Sequence, residues 1–216
     1  MSQPAGRPRG VGRRLVLGLV AGAVAATAFG GPLPAALRRA LEAPLEDLAP
    51  RDGFHFYSVS AGIPAWDPAT WSLQVADRRL SLAALRQMPA TEVAADFRCV
   101  SGWSVAGCRW RGVRLRDLLD LAGAPETARA VRFDSADGAY SDSLPMDVAR
   151  RADVLLALDL GGRPLTAARG APVRLVVPGY YGYKGVKWVS RVTAAAALEP
   201  GYWELRGYDA DARIRD

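Results

Sequence analysis

Histidine is nearly absent from this sequence. His55 is the one imidazole in 216 residues, and Cys99 and Cys108 are the two cysteines. That scarcity excludes several chemistries. A Cys₂His₂ or Cys₄ zinc site would need ligands from elsewhere. A Ser-His-Asp or Cys-His machine would have to use His55. Two cysteines do not make a disulfide-stapled scaffold. The dinucleotide fingerprint GxGxxG, the GxxxxGK[ST] phosphate loop and the haem motif Cys-x-x-Cys-His do not occur. No period of 20–50 residues repeats, which excludes a solenoid.

Acids are missing from the first 31 residues, which carry Arg7, Arg9, Arg13 and Arg14. Setting those four aside leaves 24 basic against 22 acidic residues, so the overall charge of +6 falls to +2. The body lacks the clustered cations with interleaved aromatics that a nucleic-acid surface needs, and no nucleic-acid partner is expected. Arg13-Arg14 precede Leu15–Val20 and an Ala/Gly-rich stretch to Phe29, with small residues at Ala26-Thr27-Ala28. A charged region, a short apolar run and an Ala-x-Ala pattern make an export signal. The paired arginines resemble the twin-arginine kind, which carries folded proteins. A periplasmic or otherwise exported destination is expected. Membrane contact would come only through this segment, if it is retained. Residues 32–52, with prolines at 32, 34, 44 and 50, are expected to be a linker, and residues 53–216 the domain.

Half of the residues are hydrophobic, enough for a sizeable core, and Gly 22 with Pro 15 implies many turns. Strands are predicted at Phe54–Val59, Trp71–Val75, Val93–Val100, Trp110–Leu115, Ala130–Phe133, Val154–Leu158, Val173–Val177 and Val186–Val192. Short helices are predicted from Ser81 through Leu82, Leu85 and Met88, over Arg116–Ala122 with Gly123 at its end, and over Met146–Arg151. Strands outnumber helices and no βαβ rhythm appears. The fold class is therefore α+β, a strand-rich single domain with short helices.

Three segments could carry chemistry. Phe97-Arg98-Cys99-Val100-Ser101-Gly102-Trp103-Ser104 sets a thiol beside a guanidinium, which favours the thiolate that binds metals and attacks electrophiles. By itself Cys99 could be core filler, half of a disulfide, a nucleophile or a metal ligand. Arg169-Gly170-Ala171-Pro172-Val173-Arg174 places two arginine forks around a turn that feeds an apolar strand. Gly179–Trp188 combines glycines, which let backbone N–H groups approach an anion, with Lys184 and Lys187. Trp103, Trp110 and Trp188 suit a core or a pocket wall. Together the segments suggest a thiolate ligand plus a phosphate-bearing organic cofactor.

FRCVSGWS, RGAPVRLVVP and YGYKGVKW, in this order, resemble the molybdopterin-binding domain of the sulfite oxidase superfamily. The closer likeness is to bacterial exported members, including the catalytic subunit of the periplasmic methionine sulfoxide reductase system. The resemblance runs from about Phe54 to about Tyr208. It implies a Mo-molybdopterin cofactor, with two sulfurs from the pterin and one from Cys99 on the metal. It implies cofactor contacts at Ser135, Arg174, Gly185, Val186, Lys187 and Lys184. Arg169 stands where relatives often have His or Asn. His55, Tyr57 and Ser58 fall in a segment that lines the other side of the pterin. The implied activity is two-electron oxygen-atom transfer on a small S-oxide, sulfite-like or other oxyanion substrate, with Arg98 favouring an anionic or dipolar one. A separate electron-transfer partner, a cytochrome or a membrane quinol oxidoreductase, and a monomeric chain are expected. Two rivals stand beside this reading: a cofactor-free binding domain that keeps the fold, and a thiol enzyme using Cys99 and Cys108.

Overall fold

A computed structural model describes residues 53–60 and 62–215. The expected export signal and linker lie outside these residues. The described residues divide into two units, 55–57 and the remainder. The second carries the fold described below.

Among the described residues, ten strands form two sheets. The first has the order β2-β1-β10-β5-β6, from β1 (Ser72–Val75), β2 (Arg78–Ser81), β5 (Ala130–Ser135), β6 (Ser141–Pro145) and β10 (Val189–Ala195). The second has the order β3-β4-β7-β8, from β3 (Ala90–Arg98), β4 (Ser104–Arg114), β7 (Leu155–Leu160) and β8 (Arg163–Pro164), with β9 (Arg174–Val176) also paired to β7. All pairs are antiparallel except β1 with β10. Helices α1 (Leu82–Gln87), α2 (Leu115–Leu121) and α3 (Met146–Ala149) are short. The strand-rich α+β expectation holds.

Local chemistry explains several boundaries. The Ser81 hydroxyl accepts a hydrogen bond from the Ala84 N–H at 3.1 Å, and α1 ends just before Pro89. Gly123 follows α2 with φ +65. β7 is buried on both faces because Leu156 and Leu158 enter the main core while Leu155 and Ala157 enter a second, smaller one. That second core also holds Phe54, Cys108, Trp110, Ala171 and Val176.

Three expectations are corrected, and two strands are added. Phe54–Val59 is not a strand. Phe54 plugs the second core against Phe97, Trp103 and Trp110. The strand expected at Trp110–Leu115 is the end of the much longer β4. β2 and β6 were not expected, since RRLS and SDSLP carry little apolar signal; they form because β1 and β5 offer them edges. The Val186–Val192 strand begins only at Val189, because Trp188 adopts φ +53.

Candidate cofactor site

Cys99 directly follows β3, whose last residue Arg98 pairs with Ser104 of β4. The connecting loop is closed by hydrogen bonds from the Cys99 N–H to the Trp103 carbonyl (2.9 Å) and from the Gly102 N–H to the Cys99 carbonyl (3.0 Å). The half-buried thiol lies 3.1 Å from the Ser101 hydroxyl. Phe97 stacks on Trp103 with ring centroids 5.3 Å apart, giving the loop an aromatic floor. Among the described residues no group of three or more His, Cys, Asp or Glu could hold a metal ion. A metal on Cys99 would therefore bring its other ligands with it.

Cys108 is opposite Ala95 in the β3–β4 ladder, four residues before Cys99. That is roughly 13 Å of strand, well beyond disulfide reach. Neither cysteine is in a disulfide, and Cys108 is a buried core thiol donating to the Val105 carbonyl at 3.3 Å. The ladder gives no support to a Cys99–Cys108 couple.

β9 plants Arg174 opposite Ala157 on the apolar face of the second sheet. Directly opposed residues share a face, and the small alanine leaves room for the guanidinium. Arg174 is 4% exposed, 4.9 Å above the Trp110 ring and 5.5 Å from Phe97. It donates to the Arg169 carbonyl (3.2 Å) and the Gly185 carbonyl (3.4 Å), and its Nε is buried with no partner. Burial, and then the charge of Arg169, push its pKa down to about 10. A buried cation whose hydrogen bonds go only to carbonyls, with ring faces as its other neighbours, suits an anion beside it.

Two more cations adjoin it. Arg169 ends the 3₁₀ turn Ala167–Arg169, buried, with its guanidinium 4.6 Å over the Phe54 ring. Lys187 is half-buried, and its pKa is pushed down to about 7, first by burial and then by Arg174 and Arg169. Gly170 makes this crowding possible. Its φ is +100, and a Cβ there would lie 3.0 Å from the Cβ atoms of both Arg174 and Lys187. Val186 is buried, and its backbone pairs with Leu175, which fixes the 185–187 segment beside β9.

Ser135 ends β5 opposite Val189, and the Ala136 N–H donates to the Trp188 carbonyl at 2.8 Å. The Ser135 hydroxyl is buried beside the Asp137 N–H at 3.3 Å. A cavity of about 480 Å³ opens here, walled by Trp66, Trp71, Trp188, Pro172, Ala136 and Thr70. Three residues of its wall, Ala136, Ala171 and Trp188, are chain neighbours of Ser135, Gly170 and Lys187. Flat indole walls beside a cationic cluster suit a planar heterocycle with an anionic tail.

The remaining expected residues fare differently. Ser58 bonds locally to the Ser60 hydroxyl at 2.9 Å. His55 and Tyr57 belong to the other unit. Lys184 is a correction. Its ammonium is buried and held by Asp142, the Ser143 carbonyl and Glu204, so it has no charge to spare for a cofactor. The sequence reading puts Trp110 in a core or pocket wall and Gly170 in a turn, but it does not find the Trp66–Trp71 wall. Two tryptophans five apart around a Pro-rich turn were the available signal.

This arrangement sets a buried cation cluster and an aromatic cavity in one domain with a half-buried thiol. Residues 60–203 match the family described as oxidoreductase molybdopterin binding domain, and the chain belongs to that family. It is 34% identical over 152 residues to the oxidoreductase YuiH of Bacillus subtilis, covering 68% of this chain and 76% of that protein. It is 33% identical over 179 residues to the mitochondrial sulfite oxidase of Rattus norvegicus, covering 68% of this chain but 33% of the oxidase. YedZ1 of Azospira oryzae, named as a protein-methionine-sulfoxide reductase subunit, is 33% identical over 161 residues, covering 72% of this chain and 61% of its own. Among solved structures, the sulfane dehydrogenase SoxCD of Paracoccus pantotrophus superposes with a TM-score of 0.58 at 25% identity, covering 64% of this chain and 41% of that one. The donor set fits a molybdopterin: one half-buried thiol, a buried guanidinium with an orphaned Nε, and an aromatic cavity.

Proposed function

We propose that this protein is an exported molybdopterin-dependent oxidoreductase. It moves an oxygen atom, in a two-electron step, to or from a small S-oxide, sulfite-like or other oxyanion substrate. The observation that carries the reading is Arg174, buried in an aromatic slot with carbonyl partners only and an unsatisfied Nε. An anionic cofactor tail supplies what that guanidinium lacks.

When bound, the cofactor supplies the two-electron redox couple of its molybdenum. The chain does the rest. Cys99 holds the metal through its sulfur. Arg174, Lys187 and the backbone of Gly185 and Val186 bind the anionic end, and Arg169 and Ser135 border it. Trp66, Trp71 and Trp188 exclude water from the ring. Arg98, at the end of β3 beside Cys99, attracts an anionic or dipolar substrate.

Electrons pass to or from a separate partner, a cytochrome or a membrane quinol oxidoreductase. The naming of YedZ1 as a subunit is in keeping with this. Export rests on Arg13-Arg14 ahead of the apolar run.

The test is molybdenum and pterin analysis of protein from a molybdenum-competent host, joined to EPR of the Mo(V) state. Wild type should carry near-stoichiometric molybdenum. Cys99→Ser should keep the fold and lose the wild-type signal, and Arg174→Met should lose most of the pterin. A well-folded wild type without molybdenum would sink the reading.

A further inference from the structure

We propose that Asp142, Lys184 and Glu204 are positioning residues of the cofactor site: a buried carboxylate–ammonium–carboxylate clasp that fastens the C-terminal segment 199–214 onto the anion-binding loop and sets Gly185 and Lys187 against Arg174. The inference rests on the reading above, that this loop receives the anionic end of a molybdopterin.

The three side chains are 2%, 1% and 4% exposed. The Lys184 ammonium donates to Asp142 Oδ1 at 2.8 Å, to the Ser143 carbonyl at 3.1 Å and to Glu204 Oε1. An ammonium has three protons, and all three are used. The second Glu204 oxygen accepts from the Gly201 N–H at 2.8 Å. Asp142 comes from β6, Lys184 from the 3₁₀ turn Gly182–Lys184, and Glu204 from the 3₁₀ turn Glu204–Arg206. One charge cluster thus ties together three segments distant in sequence.

Further bonds sew the same seam. The Tyr183 hydroxyl donates to the Asp209 carbonyl at 2.7 Å, the Tyr181 N–H to the Ala212 carbonyl at 2.9 Å, and the Ile214 N–H to the Gly179 carbonyl at 2.9 Å. Gly201 lies so close to Asp142 that a Cβ would sit 2.7 Å from its carboxylate.

The consequence for the site follows from chain continuity. Gly185 directly follows Lys184, and its carbonyl is one of the two partners of Arg174. Lys187 is two residues further on. A buried ion cluster is a poor source of net stability compared with apolar packing, but it fixes geometry through directional bonds. Residues that orient the direct ligands of a site typically change affinity by roughly 10–100-fold when removed.

The experiment compares three full-length proteins: wild type, Glu204→Gln, and the core control Val192→Ala, chosen to lower stability without touching the clasp. Loaded enzyme is desalted, and the pterin and molybdenum retained per chain are followed over time. Amide hydrogen exchange of residues 182–188 is measured on the same proteins without cofactor. Glu204→Gln should release cofactor about tenfold faster than wild type and speed exchange selectively at 182–188, while Val192→Ala should do neither. Equal release from Glu204→Gln and wild type, or release that only tracks the stability loss shown by Val192→Ala, would overturn the clasp. So would unchanged exchange at 182–188, whatever the cofactor does. A wild type that never loads cofactor overturns the functional reading instead, and the clasp's role falls with it.

Discussion

Lys184 and Lys187 are the same residue type three positions apart in one motif, and their environments give them opposite roles. Lys184 is neutralised by two carboxylates. Lys187 faces two guanidinium groups, and its pKa falls from 10.5 to about 7. Without a bound anion, the folded chain therefore holds fewer protons at Lys187 than the unfolded chain between about pH 7 and 10.5. Stability of the cofactor-free chain should rise with pH through that window. An anion restores the proton. Pyrophosphate added to the cofactor-free chain at about pH 8 should bind with proton uptake, read from calorimetry in two buffers of different ionisation heat. Lys187→Met should abolish the uptake, and equal heats in both buffers with wild type would refute the assignment. The two lysines could not be told apart in the sequence, because their difference lies in Asp142, Glu204, Arg169 and Arg174, all distant along the chain or on another strand.

At the level of elements, apolar patterning and terminal residues were legible. VLLALDL and VRLVV are buried strands because their side chains have a core on both faces, and Ser81 caps α1 through its hydroxyl. Elements held by an edge partner were not legible, as in β2 and β6. Nor was the role of Gly112, which lets β4 press against β7. A Cβ there would lie 2.1 Å from the Leu156 carbonyl oxygen and 2.6 Å from the Ala157 Cα. Backbone cannot give way as a flexible side chain does. Gly112→Ala should therefore cost about 3 kcal/mol, measured by denaturant unfolding. A loss under about 0.5 kcal/mol would show that the strands part freely. Because β7 also pairs with β9, the same variant should loosen the seat of Arg174.

At the scale of the whole molecule, the strands alternate between sheets. The chain leaves the first sheet after β2, builds β3–β4, returns for β5–β6, crosses again for β7–β9 and comes back at β10. The cofactor site gathers loops from both sheets, so it exists only once both have formed. That bears on the proposed export route, which carries folded proteins. Replacing Arg13 and Arg14 by lysine together should trap folded, cofactor-loaded protein in the cytoplasm, as cell fractionation would show. Undiminished export of the double variant would exclude the twin-arginine route.

The sequence by itself determined the strand-rich class and the family likeness, because these rest on local periodicity and on short ordered motifs. Tertiary structure decided which cations gather around Arg174 and which are spent in an ion cluster. It kept Cys108 about four residues of ladder away from Cys99, and it brought Trp66 and Trp71 to face Trp188. Charge, burial and orphaned hydrogen-bond capacity are properties of neighbours in space. The fold brings those neighbours together, and their spacing along the chain does not record it.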